Sequence, residues 1–71
     1  MMRIEVNGEH RDTGAATLTA LWQQEIDPPD PTVRRGFAIA LNGAVVRAPA
    51  WDETRLADGD RVEIIRAVAG G

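Results

Sequence analysis

The amino-terminal residues alternate between apolar and polar side chains. From Met2 to Val6 every second residue is apolar and the residues between them are charged, which is typical of a half-buried β-strand. Asn7-Gly8 follows directly and favours a two-residue type I′ hairpin, because both central positions of that turn require positive φ. The pattern therefore predicts a strand, a tight turn and a short polar second strand over residues 9–13.

The next apolar residues fall at helical spacing. They lie at positions i, i+3, i+4 and i+8 and form one stripe, which consists of Leu18, Leu21, Trp22 and Ile26. Thr17 stands just before them and predicts an N-cap, since its hydroxyl accepts a hydrogen bond from a free N–H of the first turn. Two prolines after Asp27 must end the helix there, because proline lacks the N–H and clashes with the preceding turn. A helix this short is unstable alone, so we expect it to cover a sheet.

A proline-rich connection and a second hairpin come next. Residues 27–36 contain three prolines and are predicted to form a surface connection that is stiffer than a glycine linker. Residues 37–41 are apolar at every position, which is typical of a strand covered on both faces. Asn42-Gly43 again favours a type I′ turn, so residues 44–47 should pair back onto that strand.

The last third of the chain predicts one more strand. Residues 49–54 have no clear period, and we interpret them as a turn or short 3₁₀ segment that buries Trp51; an exposed contact by Trp51 is the alternative. Leu56 is a further core candidate, and Asp58-Gly59 marks a turn before the final strand, over residues 61–68. The order β-β-α-β-β-β with one short helix predicts an α+β fold. The apolar content places the first and last strands in the centre of the sheet.

Composition narrows the functions open to such a small chain. Its 71 residues include no cysteine and one histidine, and the formal net charge is −3. These counts exclude a disulfide framework, a thiolate nucleophile and a multi-histidine metal centre, so no metal site is predicted. The acidic balance argues against nucleic acid, and no apolar run has the length of a membrane span. His10 and the pair Arg34-Arg35 are expected to be solvated surface residues. With no secretory signal in the first residues, we expect a cytoplasmic protein. A closed active-site cavity would take much of so small a core, so we do not expect an enzyme.

The chain ends with Ala69-Gly70-Gly71, directly after the last predicted strand. Glycine has no Cβ, so the last two residues fit through a constriction that any side chain would block. The terminal carboxylate is anionic at neutral pH, and it becomes an electrophile only if ATP on a partner enzyme converts it to an acyl-adenylate. A frayed terminus without a function is the alternative interpretation.

Several of these segments, in this order, resemble one family. The matching text runs from Ile39 to Val46, includes Trp51, continues from Leu56 to Ile65 and ends with residues 67–71. Together these segments resemble the sulfur carriers of thiamine biosynthesis, the ThiS-type members of the ubiquitin-like β-grasp family. The departure is the connection over residues 27–36, which is longer than usual. The resemblance implies a β-grasp domain over residues 1–68, with a mixed sheet of about five strands on one short helix, and a flexible Gly-Gly tail over residues 69–71.

The resemblance also implies a cycle in which other proteins act on Gly71. A ubiquitin-activating-enzyme-like adenylyltransferase (ThiF/MoeB type) would adenylylate its carboxyl group with ATP and Mg²⁺. Sulfur from a cysteine desulfurase route would then replace AMP and leave a thiocarboxylate, 1-thioglycine. Thiazole synthase (ThiG) would take that sulfur to build the thiazole of thiamine. ATP and the metal would bind the partner, so this chain is expected to hold no cofactor and to be a monomer when alone.

Partner contacts are expected on the sheet and along the tail. Ala38, Ala40 and Ile65 should face away from the helix and form a flat apolar patch suited to a protein–protein contact, unless a loop of the same chain covers them. Arg66 is expected to pair with an acidic partner surface, with a merely solvated side chain as the alternative. Partners would also contact Val68, Ala69 and Gly70. Two other functions stay open at this point. One is the small subunit of molybdopterin synthase or a carrier of another sulfur pathway, and the other is a non-carrier interaction module.

Overall fold

The computed structural model describes residues 1–26, 34 and 36–66. In these ranges the chain forms five strands, one helix and a 3₁₀ turn, in the predicted order. The elements are β1 (Met2–Val6), β2 (Glu9–Thr13), α1 (Leu18–Glu25), β3 (Phe37–Leu41), β4 (Ala44–Val46), the 3₁₀ turn (Ala48–Ala50) and β5 (Arg61–Arg66). The predicted end of the last strand, at Val68, lies outside the described residues, as do most of the proline-rich connection and the tail over residues 69–71.

The five strands form one mixed sheet in the order β2-β1-β5-β3-β4. β1 and β5 run parallel, with Glu5 opposite Arg61 and Val6 opposite Val62, whereas the other neighbouring strands are antiparallel. The strands richest in apolar residues therefore occupy interior positions, where both edges are paired. β5 lies at the centre with β1 beside it, which confirms the predicted placement of the first and last strands.

Both Asn-Gly pairs form the predicted tight turns. The φ angles of Asn7 and Gly8 are 50° and 83°, and those of Asn42 and Gly43 are 52° and 89°. This is the left-handed region that a type I′ turn requires at both central positions, and asparagine tolerates it better than most residues because its short side chain bonds locally. The residues that flank each pair lie directly opposite one another, so the turns set the registers of both hairpins.

α1 packs on one face of the sheet and completes the core. Its first turn is capped by Thr17, whose hydroxyl accepts a hydrogen bond from the backbone N–H of Ala20 at 3.2 Å. The apolar stripe is fully buried except at Ile26, which is half-buried against the same core. The largest fully buried side chains are Trp22, Trp51, Ile4, Leu18, Leu21, Ile39, Val6 and Val62. They come from the helix, the interior strands and the segment after β4, so each element buries its apolar face only in the assembled fold.

Trp51 is a core residue, and the alternative of an exposed contact is wrong. Its side chain is fully buried, and its ring centroid lies 5.7 Å from that of Trp22. Its indole N–H donates a hydrogen bond to the carbonyl oxygen of Val46 at 2.8 Å. The one polar group of the side chain therefore has a partner although it is buried. The 3₁₀ turn predicted for this stretch carries the ring into the core, as expected.

Arg34 is half-buried and fixed in place, so the expectation of a merely solvated side chain is wrong. Its guanidinium donates to the hydroxyl of Thr19 at 2.8 Å and to the carboxylate of Asp52 at 3.1 Å, and it lies 5.2 Å from the ring centroid of Trp51. The hydroxyl of Thr19 itself donates to Asp52 at 2.5 Å. That hydrogen bond, and after it the one from Arg34, holds the pKa of the Asp52 carboxyl below its usual value. These partners are 15 and 18 residues away along the chain, so a run of two arginines does not reveal them.

A mixed five-stranded sheet with one helix on one face is the ubiquitin-like β-grasp architecture that the resemblance implied. The helix covers the face that carries Ile4, Ile39 and Val62. The opposite face is called the outer face below. No helix within the described ranges is long and apolar enough to cross a membrane.

Candidate functional site

The outer face carries three of the predicted partner residues. Side chains alternate between the two faces along a strand, and Ile39 is buried on the helix side, so Ala38 and Ala40 point the other way. Ala38 lies directly opposite Ile65 on β5, and both alanines are half-buried. Ile65 is 54% exposed, so the alternative of coverage by a loop is wrong for it. The predicted orientation of all three residues is confirmed.

Val45 extends this surface, and the sequence pattern did not single it out. It lies opposite Ala40 on β4 and is 75% exposed. The signal was present, because a two-residue turn at Asn42-Gly43 pairs the second residue before the turn with the second residue after it. Ala38, Ala40, Val45 and Ile65 are called the outer patch below. Exposed apolar side chains on three adjacent strands are typical of a protein–protein contact surface.

Arg66 does not join the outer patch. It ends β5 opposite Phe37, and the alternation along β5 places it on the same face as Val62 and Ile64. Its guanidinium lies 5.8 Å from the ring centroid of Phe37, within the range of a cation–π contact. The Phe37 ring in turn meets Trp22 edge-on at 5.6 Å. The last described residue before the tail is therefore anchored, through one aromatic ring, to the core.

The remaining predicted site residues are the predicted end of the last strand and the tail over residues 69–71. Val68, Ala69, Gly70 and Gly71 lie outside the described residues, so the carboxyl group of Gly71 stays a predicted reacting group. The structure does describe the strand that leads to it. β5 is the central strand of the sheet, and β3 pairs with it as far as its last residue, Arg66. In the sequence, the tail therefore follows the central strand of the sheet.

The other half of the outer face is polar. An open cleft of about 500 Å³ there is lined in part by Arg3, Glu5, His10, Asp58 and Arg61. Glu5 lies opposite His10 on one side and opposite Arg61 on the other. The cleft has two arginines and two carboxylates among these residues, so neither sign of charge dominates. His10 is exposed, as predicted. Within residues 1–26, 34 and 36–66, no group of His, Asp and Glu side chains has the geometry to hold a metal ion.

The sequence profile of the ThiS family matches residues 2–71, which is nearly the whole chain and includes Gly70-Gly71. The chain belongs to the ThiS family. This match bears out the resemblance.

Solved structures of thiamine biosynthesis proteins have the same fold. A crystal structure of the thiamine biosynthesis protein ThiS from Geobacter metallireducens is 30% identical, covers 99% of this chain and 100% of its own, and superposes with a TM-score of 0.75. An NMR solution structure of a thiamine biosynthesis protein from the same organism is 28% identical, covers 99% and 88%, and gives a TM-score of 0.69. No curated protein sequence matches the chain. Membership of the ThiS family and these likenesses support a sulfur-carrier role in thiamine biosynthesis.

Proposed function

We propose that this ThiS family protein is a sulfur carrier whose Gly71 carboxyl group is adenylylated and then converted to a thiocarboxylate that supplies sulfur for thiazole formation. The observation that carries this proposal is the family match over residues 2–71, because it extends through the diglycine. Both structural neighbours are thiamine biosynthesis proteins, which favours thiazole formation over molybdopterin synthesis. On this proposal the chain is a co-substrate of partner enzymes rather than an enzyme.

The chemistry requires two steps on the same carboxyl group. A carboxylate is anionic at neutral pH and resists attack by a nucleophile. On the adenylyltransferase, a carboxylate oxygen of Gly71 attacks the α-phosphorus of ATP and pyrophosphate leaves, which forms the acyl-adenylate. A persulfide from the cysteine desulfurase route then attacks the carbonyl carbon through its terminal sulfur and expels AMP. A thiol attacks the other sulfur of the acyl disulfide so formed, which releases the thiocarboxylate and a disulfide. One carboxyl oxygen leaves with AMP and one sulfur replaces it, and the partner holds both ATP and Mg²⁺.

The outer patch is the proposed docking surface for these partners. Ile65 belongs to the patch and lies next to Arg66, the last described residue of β5. Residues 67–71 span at most about 18 Å when extended. The active site of a partner that binds the outer patch must therefore lie within that distance of the end of β5. Arg66 contributes a cation at the end of β5, where we propose that it meets an acidic partner surface from its position over Phe37.

The test is conversion of the intact protein. The purified chain is incubated with the adenylyltransferase, ATP, Mg²⁺ and a sulfur source, and its intact mass is measured. We expect the mass increase that exchange of one oxygen for one sulfur produces, and the product should support thiazole formation by thiazole synthase. A chain that lacks Gly71 should keep the fold, by circular dichroism, and should gain no sulfur. Equal conversion of that shortened chain would refute the assignment of Gly71.

A further inference from the structure

Both Asn-Gly turns are attached to β5 through their asparagine side chains, at opposite ends of the strand. The side chain of Asn42 accepts a hydrogen bond from the backbone N–H of Arg61 at 2.8 Å, at the start of β5. The side chain of Asn7 accepts one from the backbone N–H of Ile64 at 2.8 Å, near its end. Each amide also donates a second hydrogen bond, from Asn42 to the carboxylate of Asp60 at 3.0 Å and from Asn7 to the carbonyl oxygen of Ile64 at 3.2 Å.

The two bonds of Asn7 reproduce the pattern of a strand. The backbone N–H of Asn7 donates to the carbonyl oxygen of Val62 at 2.9 Å, as the next residue of a parallel strand would. At that point the chain turns away into the hairpin, and β1 ends at Val6. The side-chain amide then takes both the N–H and the C=O of Ile64, the two groups that a continued β1 would have bonded through the C=O of residue 7 and the N–H of residue 9. Because one partner only donates and the other only accepts, the orientation of the amide is fixed.

This bridge supports the part of β5 that has lost its parallel neighbour. β1 pairs with β5 at Arg61 and Val62 only, whereas β3 pairs with β5 as far as Arg66. Beyond Val62, the hydrogen bonds that the described residues make to β5 on its β1 side are therefore those of the Asn7 side-chain amide. The same stretch contains Ile65 of the outer patch and leads directly to the tail.

We propose that Asn7 is a positioning residue for the carboxyl-terminal tail, acting by holding the end of β5 in the sheet. It does not touch the reacting carboxyl group. Without the bridge, the end of β5 frays on its β1 side, and a partner enzyme must order it on binding, which weakens binding of the chain without altering the chemical step. This role rests on the proposed function, whereas the bridge itself is a property of the isolated protein.

Asn7→Gly tests the proposal, and Asn42→Gly is its matched control. Glycine adopts positive φ readily, so both variants keep their type I′ turns, and each loses one accepted and one donated hydrogen bond. Amide hydrogen exchange of the isolated protein is measured by NMR. We expect exchange at Ile64 to accelerate about 5- to 30-fold in Asn7→Gly, and exchange at Arg61 to accelerate by a similar factor in Asn42→Gly, as the loss of one or two hydrogen bonds implies.

Steady-state kinetics with the adenylyltransferase then separate positioning from general stability. For Asn7→Gly we expect KM for the carrier to rise about fivefold with kcat unchanged, and for Asn42→Gly we expect both constants to stay at their wild-type values. Unchanged exchange at Ile64 in Asn7→Gly overturns the bridge. Equal kinetic effects of the two variants overturn the positioning role. If the wild-type chain itself is not adenylylated, the proposed function fails, and the exchange data still decide whether Asn7 holds β5.

Discussion

Replacing Trp51 by phenylalanine should destabilise the fold far more than the same replacement of Trp22. Both rings are fully buried in one core and lie 5.7 Å apart, so both substitutions remove the same volume from the same surroundings. They differ in the indole N–H. That of Trp51 donates to the carbonyl oxygen of Val46 at 2.8 Å, whereas that of Trp22 has no hydrogen-bond partner among the described residues.

The magnitude follows from that difference. The smaller ring costs each variant about 1–2 kcal/mol, as loss of one or two buried methylene-sized groups does. Trp51→Phe loses in addition a hydrogen bond worth about 1 kcal/mol, while Trp22→Phe removes an unpaired donor whose burial costs about 1–3 kcal/mol. Trp51→Phe should therefore be the less stable variant by about 2–4 kcal/mol. A chain of this size has a total stability of only about 4–11 kcal/mol. At about 4–8 °C per kcal/mol for a small domain, the difference between the two variants amounts to at least about 8 °C in melting temperature.

Urea denaturation followed by far-UV circular dichroism measures this difference. Each variant retains one tryptophan, whose fluorescence reports on the same transition from inside the core. Agreement of the two probes shows that unfolding is two-state and that the free energies are comparable. Equal free energies of unfolding for the two variants, or a less stable Trp22→Phe, would refute the different contributions assigned to the two indole N–H groups.

Two further predictions concern the surface. Asp52→Asn should make the loss of stability at low pH less steep. Thr19 and then Arg34 lower the folded-state pKa of Asp52. The ionised carboxyl therefore stabilises the fold above the unfolded-state pKa, and this stabilisation is lost as pH falls through the folded-state pKa. Urea melts from about pH 6 to about pH 2 measure this, with Asp12→Asn, an exposed aspartate, as control, and an equally steep acid limb in both variants would contradict it. Val45→Asp should weaken binding of the carrier to its adenylyltransferase about tenfold by placing a charge in the outer patch, while stability changes by less than about 0.5 kcal/mol because Val45 is exposed. Isothermal calorimetry and a thermal melt check both parts, and unchanged affinity would remove Val45 from the docking surface.

The local elements follow from local signals. The alternation around Ile4 and the run around Ile39 give strands because a strand repeats every two residues, and the stripe that begins at Leu18 gives a helix because a helix repeats every 3.6. The Asn-Gly pairs give turns because few other residues accept positive φ. The direction of Ala38 and Ala40 on the outer face follows from the same alternation, and the position of Val45 follows from the turn length, so most of the outer patch is predictable from the sequence.

Contacts between distant parts of the chain are different. Arg34 finds Thr19 and Asp52 only after the helix and the 3₁₀ turn have packed together. Arg66 looks like a free cation in the sequence, yet it lies over Phe37 on the helix side of the sheet. No periodicity encodes such pairs, since their geometry depends on how whole elements pack.

By itself, the sequence determined the elements, their order, the faces that each strand presents and, through its resemblance to the ThiS family, the role proposed for Gly71. Only the tertiary structure decided that β1 and β3 flank β5 and which side chains connect distant strands. Asn7 shows the physical reason. Its preference for a tight turn is a local property of its backbone, but its bonds to Ile64 span 57 residues and form only when β1 and β5 lie side by side.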